Sequence, residues 1–245
     1  MTRSRSLIVA VIGIAVIGIG AYVAYDQVLR GDSTPALGLP STTPAANAST
    51  GTDASSAPAA SFDGVVDGTW TVAAGSQAGY RVREQLASLP AGSDAVGRTD
   101  QITGTIDIAT DGTTTTLTGG TLAVDTTAIA SDESRRDNRM RTEGLQTDQF
   151  PAASFTITQP VEIPAAALAG TASDVTLTGD LTLHGVTKAV EIPAQAQLVN
   201  GQIQVAGAIT FPLVDFGIQA PNVGGFIISI EDHGALEFSV AFTKS

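Results

Sequence analysis

Arg135, Arg136, Arg139 and Arg141 fall within seven residues of one another, in a chain of 245 residues with only 12 Lys and Arg in all. On a helix, Arg135 and Arg139 are i,i+4 neighbours on one face, while Arg136 points about 100° away. A guanidinium fork suits a pyrophosphate or a quinone carbonyl, so Arg135, Arg136 and Arg139 are candidates for holding a polar headgroup. Asp132, Glu133, Asp137 and Glu143 lie in the same segment. They offer the opposite use: local neutralisation, with Asp132 and Glu133 favourable at the helix start and the arginines locking the helix in place. Both uses stay open at the level of sequence.

Other chemistry is sparse. The chain has two histidines and no cysteine, so zinc sites of the usual Cys/His spacing are absent and no metal site is expected. No phosphate-cradling glycine loop, nucleophile elbow or His-Glu-x-x-His helix occurs. His184 precedes Gly185 at a hairpin tip, where it serves as a turn residue or as a further headgroup contact. Glu231, Asp232 and His233 are consecutive; on a strand such neighbours point to opposite faces and converge poorly on an ion, so a solvated turn is expected. Carboxylate pairs abound because the chain is acidic, which makes them no signature of glycoside hydrolysis. No catalytic residue and no cofactor are assigned.

Past Asp67 the apolar period is two, the mark of half-buried antiparallel strands. Val175, Leu177, Leu181 and Leu183 alternate with polar residues, as do Ile203, Val205, Ile209 and Phe211, then Leu236, Phe238, Val240 and Phe242; Phe155 and Ile157 do the same. Glycines recur inside these runs, in TGTIDI, TGGTLAV, TGDLTLH and AGAITF. At Gly119-Gly120 the apolar phase slips, as one bulge residue would make it do. Asp111-Gly112, His184-Gly185 and Asn200-Gly201 each separate two strand-like runs, as tight hairpins require. Long strands, bends and short turns predict an all-β, up-and-down antiparallel barrel of about eight strands. Such a barrel is filled by its side chains or holds one ligand. With 5% aromatic residues in the chain, space for a ligand is expected, lined by the apolar faces of Val175 to Leu183, Ile203 to Phe211, Phe155, Ile157, Leu236 and Phe238. Ala208 and Gly179 are small residues whose enlargement would block that space if they face inward.

The N-terminus reads differently. Leu7 to Tyr25 is 19 residues without a charge, about 28 Å as a helix against about 30 Å of hydrocarbon. Arg3 and Arg5 ahead of it place the N-terminus inside and the rest of the chain outside. Residues 1–30 are therefore expected to be a single transmembrane anchor, with a cleaved signal peptide as the competing reading. Residues 31–61, rich in Ser, Thr, Pro and Ala, are expected to be a disordered linker, and residues 62–245 the barrel. Cations and acids balance before Phe62, so the net charge of −12 falls on the outer domain. A nucleic-acid partner is excluded on that ground.

Three stretches in order resemble one family. LAVDTTAIASDESRRDNRMRTEGLQTDQFPAASF (Leu122 to Phe155), TGDLTLHGVTKAVEIP (Thr178 to Pro193) and FPLVDFGI (Phe211 to Ile218) with the closing ALEFSVAF resemble the YceI-like exported proteins, over Asp67 to the C-terminus. The resemblance implies a lipocalin-like barrel with a short Arg-rich helix at one mouth and an isoprenoid lipid in an apolar tunnel. It marks Arg135, Arg136 and Asp137 as motif residues without giving their role. Dimerisation occurs in that family and a homodimer is allowed, though no feature here requires it. Pro164 to Gly170, PAAALAG, departs from the pattern as an extra loop or helical turn at one rim.

The expectation is thus a membrane-tethered, extracytoplasmic binding protein for an isoprenoid lipid, quinone or polyprenyl phosphate, without catalysis. The alternatives are a β-domain that binds a wall polymer or partner protein through its surface and, last, a lipid-modifying enzyme using a histidine base.

Overall fold

A computed structural model describes residues 34–40, 64–86, 92–219 and 227–245. Eleven strands form one antiparallel sheet: β1 (Gly68–Val72), β2 (Gln77–Leu86), β3 (Ser93–Thr99), β4 (Ile102–Asp111), β5 (Thr114–Asp125), β6 (Ala152–Ile157), β7 (Val161–Glu162), β8 (Ser173–Leu183), β9 (Val186–Val199), β10 (Gln202–Pro212) and β11 (Ile227–Lys244). Two short helices, α1 (Ser134–Arg139) and α2 (Ala165–Leu168), interrupt them. The circuit β1-β4-β5-β6-β8-β9-β10-β11 closes because β11 also pairs with β1, which gives the expected barrel of eight strands.

Closure depends on a split. β11 pairs with β2 through Gly234–Ser239 and with β1 through Phe242–Lys244. Thus β1 and β2 share one wall position, one below the other, and β3 continues from β2 as β4 does from β1. The bend between β1 and β2 is held by Ser76, whose hydroxyl donates to the Ala73 carbonyl at 2.7 Å and accepts from the Ala241 N–H at 3.0 Å.

The glycine-marked bends are where the sequence puts them. The β4–β5 register steps from Asp107–Gly119 to Ile108–Leu117, leaving Thr118 as the extra residue. His184-Gly185 and Asn200-Gly201 have φ of 51°, 74°, 53° and 74°, the left-handed pairs of a two-residue hairpin. Gly185 is needed twice, since a Cβ there would also lie 2.6 Å from the Phe150 ring. Glu231, Asp232 and His233 do not form a turn: they sit within β11, in the irregularity between Ile230 and Gly234, all three exposed.

Inside, Trp70, Ile106, Ile108, Ile203, Val240 and Phe242 belong to a continuous apolar core. The PAAALAG departure is α2, one turn whose Ala167 is 1% exposed. It sits beside β9 at the end of the barrel away from α1.

The expected anchor, 1–30, lies outside the described residues. Among the described residues no helix is long and apolar enough to cross a membrane. Of the expected linker, 31–61, only 34–40 are described. They have no regular secondary structure, but Leu37 and Leu39 are half-buried, and the stretch is bonded to the barrel wall as described below.

Candidate functional site: an apolar cavity beneath an arginine helix

The barrel interior contains a cavity of about 740 Å³. Eight of the residues expected to line it do so: Phe155, Leu177, Leu181, Leu183, Ile209, Phe211, Leu236 and Phe238. Each stands on the inward phase of its strand, so period two alone selects it. Val175, Ile203 and Val205 are placed elsewhere, around a remnant of about 40 Å³ on the side of α2. Ile157 packs against the core and lines neither space. Side chains therefore fill the interior beyond Leu177, which borders both spaces. The reason is Trp70, fully buried at that end, together with α2. The sequence could not say how deep the empty part runs. Ala208 is exposed and pairs with Glu237 on the outer face. Gly179 faces inward, but a Cβ there would meet Phe155 at 2.7 Å and the Thr156 carbonyl at 2.2 Å. Neither is a usable blocking position.

The other end is the mouth. There α1 and the π turn after it, Met140–Gly144, bridge from β5 to β6. Glu133 caps α1 by accepting from the Arg135 N–H at 3.0 Å. Asp137, 8% exposed, accepts from the Ser131 N–H at 2.9 Å and the Ser131 hydroxyl at 2.6 Å. Its motif role here is to fix the loop ahead of the helix.

The arginines divide. Arg136 Nη2 lies 2.7 Å from Glu84 Oε1 and Arg136 Nη1 2.6 Å from Asp132 Oδ1. Burial alone would lower the Arg136 pKa, but the hydrogen bonds and charges of Glu84 and Asp132 raise it. Its charge is thus fully matched, and the locking role holds for it. Arg135 and Arg139 also line the cavity, Arg135 exposed and Arg139 half-buried. Among the described residues, the Arg135 guanidinium has no carboxylate partner. His184 does not line the cavity. Its Nδ1 lies 3.0 Å from the Phe216 carbonyl and its Nε2 3.3 Å from Gln146 Oε1, and its ring packs 4.4 Å from that of Phe150. It pins the β8–β9 hairpin to the mouth loops.

Two groups in the site were not singled out from sequence. β2 turns Ala78, Tyr80, Val82 and Glu84 inward. Glu84 is 3% exposed, an acid on the apolar phase of a strand, and that misfit was the readable signal. Tyr80 lies flat over Gly97, where a Cβ would come within 2.4 Å of its ring. Burial, opposed by Arg136 and aided by Asp137, Glu84 and Asp132, pushes its pKa up to about 12. Near neutrality it is a phenol that can donate a hydrogen bond into the cavity.

This geometry meets independent comparisons. A family model described as the YceI-like domain matches residues 70–242. The chain belongs to the YceI-like family. It is 32% identical over 135 residues to a UPF0312 protein of Shewanella baltica, covering 52% of this chain and 65% of that one. It is 34% identical over 104 residues to a UPF0312 protein of Shewanella denitrificans, covering 39% and 50%. The chain thus spans half to two thirds of the length of these relatives. Among solved structures, a polyisoprenoid binding domain from Saccharophagus degradans aligns with a TM-score of 0.54 at 20% identity, over 72% of this chain and 98% of that one. Burkholderia cenocepacia BcnA aligns at 0.50 and 13%, over 68% and 95%. At these identities the likeness is one of fold, and it agrees with the closed barrel described above.

Proposed function

We propose that this YceI-like barrel binds an isoprenoid lipid, with the tail in the cavity and the polar head at the rim beneath α1, and performs no chemistry on it. The observation that carries this reading is a cavity of about 740 Å³ with apolar walls and a single charged end. At roughly 30 Å³ for each water-sized group, that volume holds about 25 heavy atoms, or about five five-carbon units. A space with apolar walls is a poor host for water and a good one for a branched hydrocarbon.

Delivered from water, a tail gains about 0.8 kcal/mol per buried CH₂. Taken from a bilayer it gains almost none of this, because the tail is already out of water. For a protein tethered to a membrane the head therefore decides which lipid is held. Arg135 offers a charge-assisted contact to a polyprenyl phosphate, and Tyr80 a neutral donor to a quinone carbonyl. Tethering through Leu7 to Tyr25 on the outer face of a membrane is part of the same reading. It is supported by the length of that apolar run and by Arg3 and Arg5 before it.

The test is native mass spectrometry and organic extraction of the protein purified under gentle conditions. A co-purifying prenyl lipid is the expected result, and its head identifies the cargo class. A chain that comes out empty and takes up neither added menaquinone nor polyprenyl phosphate is a surface-binding module instead.

A further inference from the structure

Thr34–Pro40 crosses the outside of the barrel over a buried charge. Arg81, Arg98 and Glu237 alternate with the inward Tyr80, Leu236 and Phe238, so they point outward. Yet Glu237 is only 3% exposed. Arg98 Nη2 lies 2.7 Å and Arg81 Nη2 3.4 Å from its carboxylate, and the 34–40 stretch completes the shell. The Leu37 N–H donates to Glu237 Oε2 at 3.4 Å. Arg81 donates to the Thr34 carbonyl at 2.9 Å, Arg98 to that of Pro35, and the Ser239 hydroxyl to that of Gly38 at 3.0 Å. Arg98 and Arg81 pair this carboxylate with or without the strap, so it is the four hydrogen bonds between strap and wall that favour the docked state over a free linker.

The strap has a direction. Arg81 is level with Ala235, Glu237 with Gly79 and Ser239 with Gln77. From Thr34 to Gly38 the strap therefore runs away from Glu84 and the mouth, so Thr34 is its end nearer the mouth. Only eight residues, 26–33, separate Tyr25 from Thr34, a reach of no more than about 30 Å. Without docking, the stretch from Asp26 to Asp67 could extend about 150 Å.

We propose that the docked strap turns the cavity mouth toward the lipid surface in which the N-terminus is anchored, so that α1 and its arginines meet the headgroup layer. This rests on the tether proposed above. It makes the rim around α1 the membrane-facing surface of the molecule and the β4–β5 hairpin its far end.

The chain has no cysteine, so single labels are unambiguous. A fluorophore is placed at Asn138→Cys on α1 or at Thr113→Cys in the β4–β5 hairpin, both exposed, in the full chain reconstituted into vesicles with nitroxide-headgroup lipids. The label at 138 should be quenched several-fold more than that at 113, and Leu37→Asp with Leu39→Asp should erase the difference. Equal quenching in the parent chain, stronger quenching at 113, or a difference that survives the double substitution overturns the proposal. Flotation of the same vesicles separates its two parts. A chain that does not co-float overturns the tether and with it the facing of the mouth, while hydrogen exchange at the Leu37 amide reports whether the strap itself is docked. None of these readings needs a lipid in the cavity, so an empty barrel does not affect them.

Discussion

Removing the Arg136 side chain would strand a carboxylate inside the barrel. Glu84 is 3% exposed and its Oε1 receives Arg136 Nη2 at 2.7 Å; no other cation contacts it among the described residues. Breaking a buried pair by deleting one partner costs about 3–5 kcal/mol. Arg136 retains 19% side-chain exposure at the mouth, so some hydration of the vacated space places Arg136→Ala near the lower end, about 3 kcal/mol. For a domain of this size that is a fall in Tm of about 6–12 °C. Glu84→Gln should cost far less, about 1 kcal/mol, because the amide oxygen still accepts from Arg136 and Asp132 at 2.6 Å still pairs with it. The decisive sample is Arg136→Ala with Glu84→Gln. It leaves no uncompensated charge, so it should be more stable than Arg136→Ala alone, a coupling that a double-mutant cycle isolates. Urea unfolding followed by circular dichroism measures all four proteins. If Arg136→Ala costs less than about 1 kcal/mol, or if the double variant is no more stable than that single variant, the pair is not what holds α1 on the barrel. Arg136 would then be available to a ligand.

Ala153 is half-buried on the inward phase of β6 and lines the cavity near the mouth. Ala153→Phe should abolish uptake of a fluorescent prenyl probe while leaving the melting curve nearly unchanged, since the ring enters empty space. Arg135→Gln should weaken polyprenyl phosphate binding about tenfold, the value of one exposed charge-assisted contact, and leave menaquinone binding within twofold; equal losses for both ligands would deny it a headgroup role. Tyr80 provides a pH signature. Its folded pKa of about 12 exceeds the ordinary 10.0, so its contribution is complete below pH 10 and is lost as pH rises toward 12, about 2–3 kcal/mol over that window. Tyr80→Phe should show a correspondingly flatter decline in stability between pH 10 and 12, and difference absorbance should show that the variant has lost a late-titrating phenol present in the parent chain.

The barrel was legible because its signals are local. Period two selects the face of β8, β10 and β11. His184-Gly185 and Asn200-Gly201 demand left-handed pairs, and the phase slip at Gly119 marks a bulge, each readable within a few residues. The site was legible only in part. That Arg135 and Arg139 share a face follows from i,i+4 spacing, but which way that face points, and that Arg136 is neutralised by Glu84, fifty-two residues away on another element, do not. Period two also overreached. It gives Val175, Ile203 and Val205 the same inward phase as Leu177 and Ile209, and only the positions of Trp70 and α2 along the barrel axis decide which of them border empty space. The strap left no pattern at all, because TPALGLP is bonded mainly through its backbone carbonyls and one N–H.

The distribution of polar groups explains why the empty volume lies where it does. A barrel of eight strands can be filled by its own side chains, and this one is filled at the end holding Trp70, Ile108 and Phe242. Toward α1 the cavity wall includes the small residues Ala95 and Ala153 beside Leu183 and Phe211, and it also carries Tyr80 and the Glu84–Arg136 pair. Filling that end with larger apolar side chains would bury more area, yet it would press hydrocarbon against a phenol hydroxyl and an ion pair that lose solvation in return. Small residues beside a paired charge instead leave room for a guest, and in the function proposed above its tail meets Leu177 and Leu181 and its head the polar rim. The charge network that fastens α1 to the barrel therefore also sets the polarity of the opening, so under that proposal stability and ligand orientation depend on the same few atoms.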